Sequence, residues 1–232
     1  MSIFKPVANT NLYVEVINSI ITAIATGELK AGEKIIEQNI ATEMQISRAP
    51  IREAIRELAA QGILEYAPKR GATVAELTVK NIEEVYSLRA TLESMAIGLA
   101  MKNFSKDDIE QMKKLSKEMT NDLKKQDIEK FIEKDVIFHN LICERSNHSK
   151  LQKLLENFIL QTKLYMIMSK YKMLINLELS LEYGVHEGII KSIEEKNSKL
   201  AEEEMKKHII NSGNVLINYI LKNDSLKKEN EL

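Results

Sequence analysis

The spacing of apolar residues changes near residue 78. Before that point, short helical patterns are followed by two brief β-prone runs, 62–66 and 72–75, with Gly, Pro and basic residues between them. After it, apolar residues recur at the three- and four-residue spacing that is typical of long helices. The pattern therefore predicts two domains of different construction, 1–77 and 78–232.

The first domain contains two helical patterns separated by a tight link. Residues 35–44 predict a short helix, and Gln45 and Ile46 provide the link. Ser47 is expected to cap a second helix by accepting a backbone N–H bond, and Pro50 is tolerated in its first turn. Two helices followed by a hairpin with a basic tip predict a winged helix-turn-helix with a small β-hairpin wing.

The second helix of this pair has an apolar side and a cationic side. The apolar positions are Ile51, Ala54, Ile55 and Leu58. Arg48, Arg52 and Arg56 recur every four residues, so they stay on one side of the helix with about 6 Å between neighbours. Guanidinium groups at this spacing suit bidentate bonds to guanine edges or to phosphates in a major groove. The alternative is that these arginines are solvated or paired with acids such as Glu53 and Glu57.

Composition limits the classes of protein to which the chain can belong. It has 33 Lys and Arg against 34 Asp and Glu, so any attraction to DNA must come from a local patch. The 44% apolar content is enough for buried cores. The sequence has no run of about 18 uncharged apolar residues and no signal-peptide pattern. We therefore expect a cytoplasmic protein without a membrane partner.

Six helical patterns follow the change near residue 78, and their short connections predict an all-α antiparallel bundle around one core. The predicted helices span about 78–101, 105–123, 127–145, 147 or 149 to beyond 165, 177–195 and 198–221. Ser105 and Asp127 are the expected caps of the second and third helices. The predicted inward positions include Leu88 and Met95 in the first helix and Leu154 in the fourth. The fold class is therefore mainly α.

Three of the four histidines fall on predicted apolar stripes of different helices. His139 follows Asp135 by four residues, so on a helix both side chains point the same way, about 6 Å apart. His186 shares its predicted face with Ile189, Ile190 and Ile193, and His208 shares its own with Met205, Ser212 and Val215. Burying several titratable groups is costly unless they are paired or coordinated. A divalent transition metal held by three imidazoles and a carboxylate would satisfy all four groups. The alternative is three hydrogen-bonded core histidines without a metal.

The first domain resembles the GntR family of bacterial regulators. The resemblance rests on the run Ser47-Arg48-x-Pro50-x-Arg52-Glu53-Ala54-x-Arg56-x-Leu58, followed by Gly62 and a wing with Gly71. The DNA-binding residues that it implies are Ser47, Arg48, Arg52, Arg56, Lys69, Arg70 and Gly71, the last three in a wing that reaches the minor groove. Gln38 stands where many relatives carry Arg, so one phosphate contact is expected to be weaker or replaced.

The helical domain resembles the FCD effector domain of the FadR subfamily. The resemblance rests on Asp135-x-x-x-His139, His186 and His208, together with Leu88-Arg89-x-x-Leu92-Glu93. It implies that Asp135, His139, His186 and His208 bind a divalent ion, with zinc expected and nickel, iron or manganese as alternatives. Open positions on that ion would take a small organic or sugar acid. Arg89 is a further candidate for binding this effector, and an ion pair with Glu93 is its alternative role.

Together these features predict a homodimeric transcriptional regulator that binds a pseudo-palindromic operator in double-stranded DNA. We expect a repressor whose operator affinity changes when a small carboxylate binds the metal site. In the alternative, the ion itself is the signal. We do not expect an enzyme, because no obvious general base accompanies the four predicted ligands.

Overall fold

The computed structural model divides the chain into two compact units, Met1–Glu76 and Leu77–Leu232. Residues 11–67, 71–169 and 186–229 are described. These residues are mainly helical and contain one two-stranded sheet. The architecture agrees with the predicted mainly α class.

Three helices form most of the first unit. They are α1 (Asn11–Thr26), α2 (Glu37–Met44) and α3 (Arg48–Ala60). α1 was not predicted from the sequence, although its apolar residues recur at the spacing of a helix. The buried positions of α1 and α3 are Val16, Ile20, Ile24, Ile51, Ala54, Ile55 and Leu58. Because α1 packs against α3, this missed helix supports the apolar side of the predicted recognition helix.

A β-hairpin follows α3. Its strands are β1 (Leu64–Ala67) and β2 (Gly71–Val74), and they pair antiparallel. Gly71 has a φ of +83°, a left-handed conformation that glycine adopts without a steric penalty. The hairpin therefore has the predicted wing topology, with a glycine where the chain enters the second strand.

The second unit is all-helical in its described residues. Its helices are α4 (Val79–Ala100), α5 (Lys106–Lys124), α6 (Ile128–Arg145), α7 (Ser149–Met168), α8 (Glu187–Glu194) and α9 (Ser198–Glu229). Ser105 and Asp127 cap α5 and α6 with their side chains, as predicted. α4 packs against α6, α7 and α9, so it is the central helix of this unit. Nowhere in the described ranges is a helix both long enough and apolar enough to cross a membrane.

One apolar core joins the helices of the second unit. The inward orientation that was predicted for four residues is wrong. Leu88, Met95 and Leu154 are about half exposed, and Val215 is also exposed. The apolar residues of these helices cover more than one face, and the core uses only part of them. Leu88 and Met95 are thus left on an outer face of α4.

The prediction that the fifth helix continues through His186 is wrong. α8 begins at Glu187, and His186 itself has a left-handed backbone with a φ of +64°. A left-handed residue cannot continue a right-handed helix, so His186 stands just outside it. Residues 170–185, with the predicted break near Tyr171 and the predicted helix start at 177, lie outside the described residues.

Candidate functional site

The cationic side of α3 faces solvent in the first unit. Ser47, Arg48, Arg52 and Arg56 are all exposed. Ser47 occupies the N-cap position with an extended backbone, but its side chain makes no capping bond, so that detail of the prediction is wrong. The hydroxyl and the three guanidinium groups therefore lie on a surface that DNA could reach.

Arg48 and Arg52 share an acidic partner that their spacing in the sequence does not indicate. Oε2 of Glu37, in the first turn of α2, accepts from Nη2 of Arg48 at 2.7 Å and from Nε of Arg52 at 2.8 Å. Burial alone would raise the pKa of Glu37, but the bonds from both arginines outweigh it and lower that pKa. The acids predicted as alternative partners were Glu53 and Glu57, whereas the acid that accepts these bonds is Glu37. The side chains of Arg48 and Arg52 remain 50% and 52% exposed, so the cluster is open to solvent.

The wing has a basic neighbour that sequence reasoning also missed. Lys34 forms an isolated β-bridge with Thr73, and its Cε lies 3.7 Å from the place where a Cβ on Gly71 would stand. Because Lys34 is exposed, it adds a positive charge beside the hairpin. Lys69 and Arg70 lie outside the described residues, so their roles remain predictions.

The four side chains predicted as metal ligands meet inside the second unit. Asp135 and His139 lie on α6, His186 precedes α8, and His208 lies on α9. One ligand atom from each lies within 4.8 Å of the others. The first three residues are buried and His208 is partly buried. Three separate elements thus bring four donors to one place, which we call the histidine cluster.

Several distances in the histidine cluster lie at or just above those between ligands of one ion. Oδ1 of Asp135 lies 3.3 Å from Nε2 of His186 and 3.6 Å from Nε2 of His139, and the two Nε2 atoms are 3.4 Å apart. Two ligands bound at about 2.1 Å to one ion lie roughly 3.0 to 3.4 Å apart. The ring centroid of His208 lies 4.3 Å from that of His186. The contacts of 3.3 to 3.6 Å are long for direct hydrogen bonds, and they suit side chains that share an ion.

The chemistry of the histidine cluster also fits a divalent ion. Nδ1 of His186 is buried, and no described residue forms a hydrogen bond with it. The other ring nitrogen, Nε2, lies near Asp135 and His139, so it is the atom that could bind a shared ion. Burial lowers the pKa of His186 and lowers that of His208 further, where the neighbouring imidazoles act in the same direction. Both rings are thereby kept neutral, which is the form that binds metals.

A second buried carboxylate lies behind the histidine cluster. Glu93, fully buried on α4, accepts a hydrogen bond from Nε of Arg89 and contacts Nδ1 of His139. Burial alone would raise the pKa of Glu93, but Arg89 and His139 outweigh it and lower that pKa. Burial alone would lower the pKa of His139, but the nearby carboxylate of Glu93 outweighs burial and raises that pKa. The ion pair offered as an alternative role for Arg89 is therefore formed, and effector contact by Arg89 remains a prediction.

Family comparisons separate the chain in the same way as its structure. The profile described as bacterial regulatory proteins, gntR family, matches residues 12–74. The profile of the FCD domain matches residues 84–211. The two matches fall within the two compact units. Both the winged helix-turn-helix and the FCD resemblance are thereby confirmed.

Several regulators are similar to the chain over most of its length. The uncharacterized HTH-type transcriptional regulator YdhC of Bacillus subtilis is 30% identical over 161 residues, covering 68% of this chain and 70% of that protein. The gluconate operon transcriptional repressor of the same organism is 29% identical over 184 residues, covering 76% and 73%. The solved structure of E. coli McbR/YncC shares the fold, with a TM-score of 0.72 and 24% identity over 90% of this chain and 99% of that one.

These relatives are transcriptional regulators, in agreement with the prediction that the chain is not an enzyme. Because the FCD match alone covers more than half of the chain, the assignment does not depend on the DNA-binding unit only. The chain belongs to the GntR family of bacterial transcriptional regulators and carries an FCD domain behind its winged helix-turn-helix.

Proposed function

We propose that this regulator is a homodimeric repressor of the FadR subfamily whose operator affinity changes when a small carboxylic acid binds a metal ion in the histidine cluster. The convergence of four donor atoms within 4.8 Å carries this proposal. The names of similar proteins, among them the gluconate operon repressor of Bacillus subtilis, support repression as the mode of action.

Operator binding is assigned to the exposed side of α3 and to the wing. Arg48 and Arg52 would exchange their bonds with Glu37 for bonds to guanine edges or phosphates, and Arg56 would support them. Exposed ion pairs contribute at most about 1 kcal/mol, so this exchange costs little. Ser47 and Gly71 complete the described part of the predicted contact surface. Lys34 is a further candidate for a phosphate contact.

The ion would be held by Asp135, His139, His186 and His208. When bound, it supplies positive charge and open coordination positions for oxygen ligands, and zinc suits three imidazoles and one carboxylate. Arg89 and Glu93 neutralise each other, so Asp135 is the charged protein group that offsets a divalent ion. One positive charge is left over in a buried place. A carboxylate effector would neutralise it, which favours an acid over a neutral ligand.

An outer face of α4 supports the proposed dimer. Leu88 and Met95 lie seven residues apart on this helix and are 51% and 50% exposed. Residues seven apart lie on the same helix face, so these two large apolar side chains are a candidate surface for a second copy. A dimer formed through this face would contain two recognition helices, the number that a pseudo-palindromic operator requires.

Zinc titration of the metal-free protein tests the metal site. We expect one zinc ion per subunit for the wild type and a loss of at least about 100-fold in affinity for His139→Ala, more than is typical for loss of an outer-shell partner. His148→Ala is the matched control, because His148 caps α7 through Leu151 and is not one of the four converging residues. Equal zinc binding by His139→Ala and the wild type would overturn the metal site.

Operator affinity tests the regulatory part of the proposal. A duplex selected from random DNA by the wild-type protein would be titrated with metal-free and zinc-loaded protein, alone and with acetate, gluconate or citrate. We expect an acid to weaken binding about 5- to 150-fold, and only with zinc present. A change on zinc loading that no acid modifies would instead favour the metal-responsive alternative.

A further inference from the structure

Glu93 is a buried acid that the proposed ion does not use as a ligand. It lies on α4 with its side chain fully buried, and it is not one of the four converging residues. A buried carboxylate is costly unless its oxygens are paired. Oε1 accepts from Nε of Arg89, and Oε2 contacts Nδ1 of His139. Glu93 therefore links an arginine directly to one of the proposed ligands.

The two ring nitrogens of His139 face different groups. Nδ1 contacts Oε2 of Glu93, whereas Nε2 lies 3.4 Å from Nε2 of His186 and 3.6 Å from Oδ1 of Asp135. A carboxylate oxygen only accepts hydrogen bonds, so pairing with Glu93 places the proton of a neutral ring on Nδ1. The lone pair is then on Nε2, the nitrogen that faces the histidine cluster.

Arg89 holds Glu93 in place as a charged acceptor. Its guanidinium is always protonated, and its Nη1 donates to Oγ1 of Thr162 at 3.0 Å. The Thr162 hydroxyl donates in turn to the carbonyl oxygen of Ile159 at 3.0 Å. The bonded chain thus runs from α7 through α4 to the His139 ring on α6, and it leaves Glu93 little freedom to move.

We infer that Glu93 is a positioning residue that fixes the tautomer and the ring orientation of His139 for the ion, with Arg89 as its counter-charge. This inference rests on the proposed metal site. A carboxylate bonded to a ligating imidazole raises the basicity of that ligand, and loss of such a partner typically lowers metal affinity about 10- to 100-fold. In this role Arg89 acts on the site through Glu93.

The Glu93→Gln variant tests the inference because it keeps the shape of the side chain and removes its charge. The zinc dissociation constant of the full chain, measured by competition with a chromophoric chelator, should rise about 10- to 100-fold. Asp108→Asn is the matched control, since Asp108 is also a buried acid held by an arginine, Arg145, at 2.7 and 2.9 Å. Its zinc affinity should stay within about 2-fold of wild type.

Nitrogen-15 NMR of the zinc-loaded wild type gives a second readout that needs no variant at Glu93. His139 should carry its proton on Nδ1 and bind zinc through Nε2. The opposite arrangement, or zinc binding by Glu93→Gln as tight as that of wild type, would overturn the role of Glu93. A wild-type protein that binds no zinc at all is a separate result, because it would overturn the proposed metal site itself.

Discussion

Two clusters of this chain combine glutamate with arginine in opposite surroundings. Glu37 holds Arg48 and Arg52 at the surface of the first unit, whereas Glu93 holds Arg89 inside the second. Exposed pairs are worth about 0 to 1 kcal/mol, but removing one partner of a buried pair costs about 3 to 5 kcal/mol. The surface cluster can therefore exchange partners, as the proposed contacts of Arg48 and Arg52 with DNA require. The buried cluster cannot exchange partners at so low a cost. It is therefore suited to hold the ring of His139 in one orientation.

The largest expected effect is on the stability of the buried cluster. Arg89→Met would leave Glu93 buried without its counter-charge and should lower the free energy of unfolding by about 3 to 5 kcal/mol. Urea unfolding of the metal-free protein measures this loss. Arg52→Met is the matched change at the surface, with an expected loss of no more than about 1 kcal/mol. Similar losses for the two variants would remove the distinction between the clusters.

For DNA binding, the larger effect should come from the surface cluster and not from the buried one. Arg52→Ala removes a guanidinium from the exposed side of α3 and should weaken binding to a selected duplex by about 1 to 3 kcal/mol. Lys114→Ala removes one exposed positive charge from the second unit and serves as the control. Fluorescence anisotropy at several salt concentrations measures both variants. Unchanged affinity in Arg52→Ala would contradict the assignment of α3 to operator recognition.

Much of this architecture could be predicted from local sequence signals. The caps at Ser105 and Asp127 and the apolar positions of α3 follow from residue type and spacing within a few residues. The meeting of Asp135 and the three histidines is also predictable, because each lies among apolar neighbours in the sequence. A polar residue on the apolar side of a helix points toward the core, so polar residues from several helices can meet there.

Other features depend on tertiary packing and could not be read from spacing. Leu88 and Met95 follow the helical period, yet they lie outside the core because α4 already buries other faces. Glu37 precedes Arg48 by eleven residues, so no helical spacing connects them. The backbone of His186 is left-handed, a conformation that is uncommon outside glycine and that its apolar neighbours did not indicate.

A smaller effect is expected where α4 and α9 pack closely. A Cβ on Gly213 would lie 2.9 Å from Cγ of the buried Tyr86, so Gly213→Ala should cost about 1 to 3 kcal/mol of stability. At Gly98 the nearest atoms belong to the flexible end of Glu202, which can move aside. Gly98→Ala should therefore cost less than about 1 kcal/mol. Thermal unfolding of both variants tests whether the helices around the buried cluster are rigidly packed.

The smallest effect should come from the acid of the surface cluster. The pKa of Glu37 is lowered in the fold, so its pairing stabilises the protein above the ordinary carboxyl pKa of about 4.3 and is lost as pH falls. Glu37→Gln should thus lower stability by at most about 1 kcal/mol at pH 7. The difference from wild type should shrink below about pH 4. A difference that grows on acidification would contradict the lowered pKa.

X-ray absorption at the zinc edge of the loaded wild-type protein tests the central claim most directly, namely that four side chains of the second unit bind one ion. We predict a first shell of nitrogen and oxygen atoms at about 2.0 to 2.2 Å, with the multiple scattering of three imidazoles. The imidazole signal should fall in His139→Ala and persist in His148→Ala. A shell of water oxygens alone, or the same imidazole signal in His139→Ala and wild type, would contradict the claim.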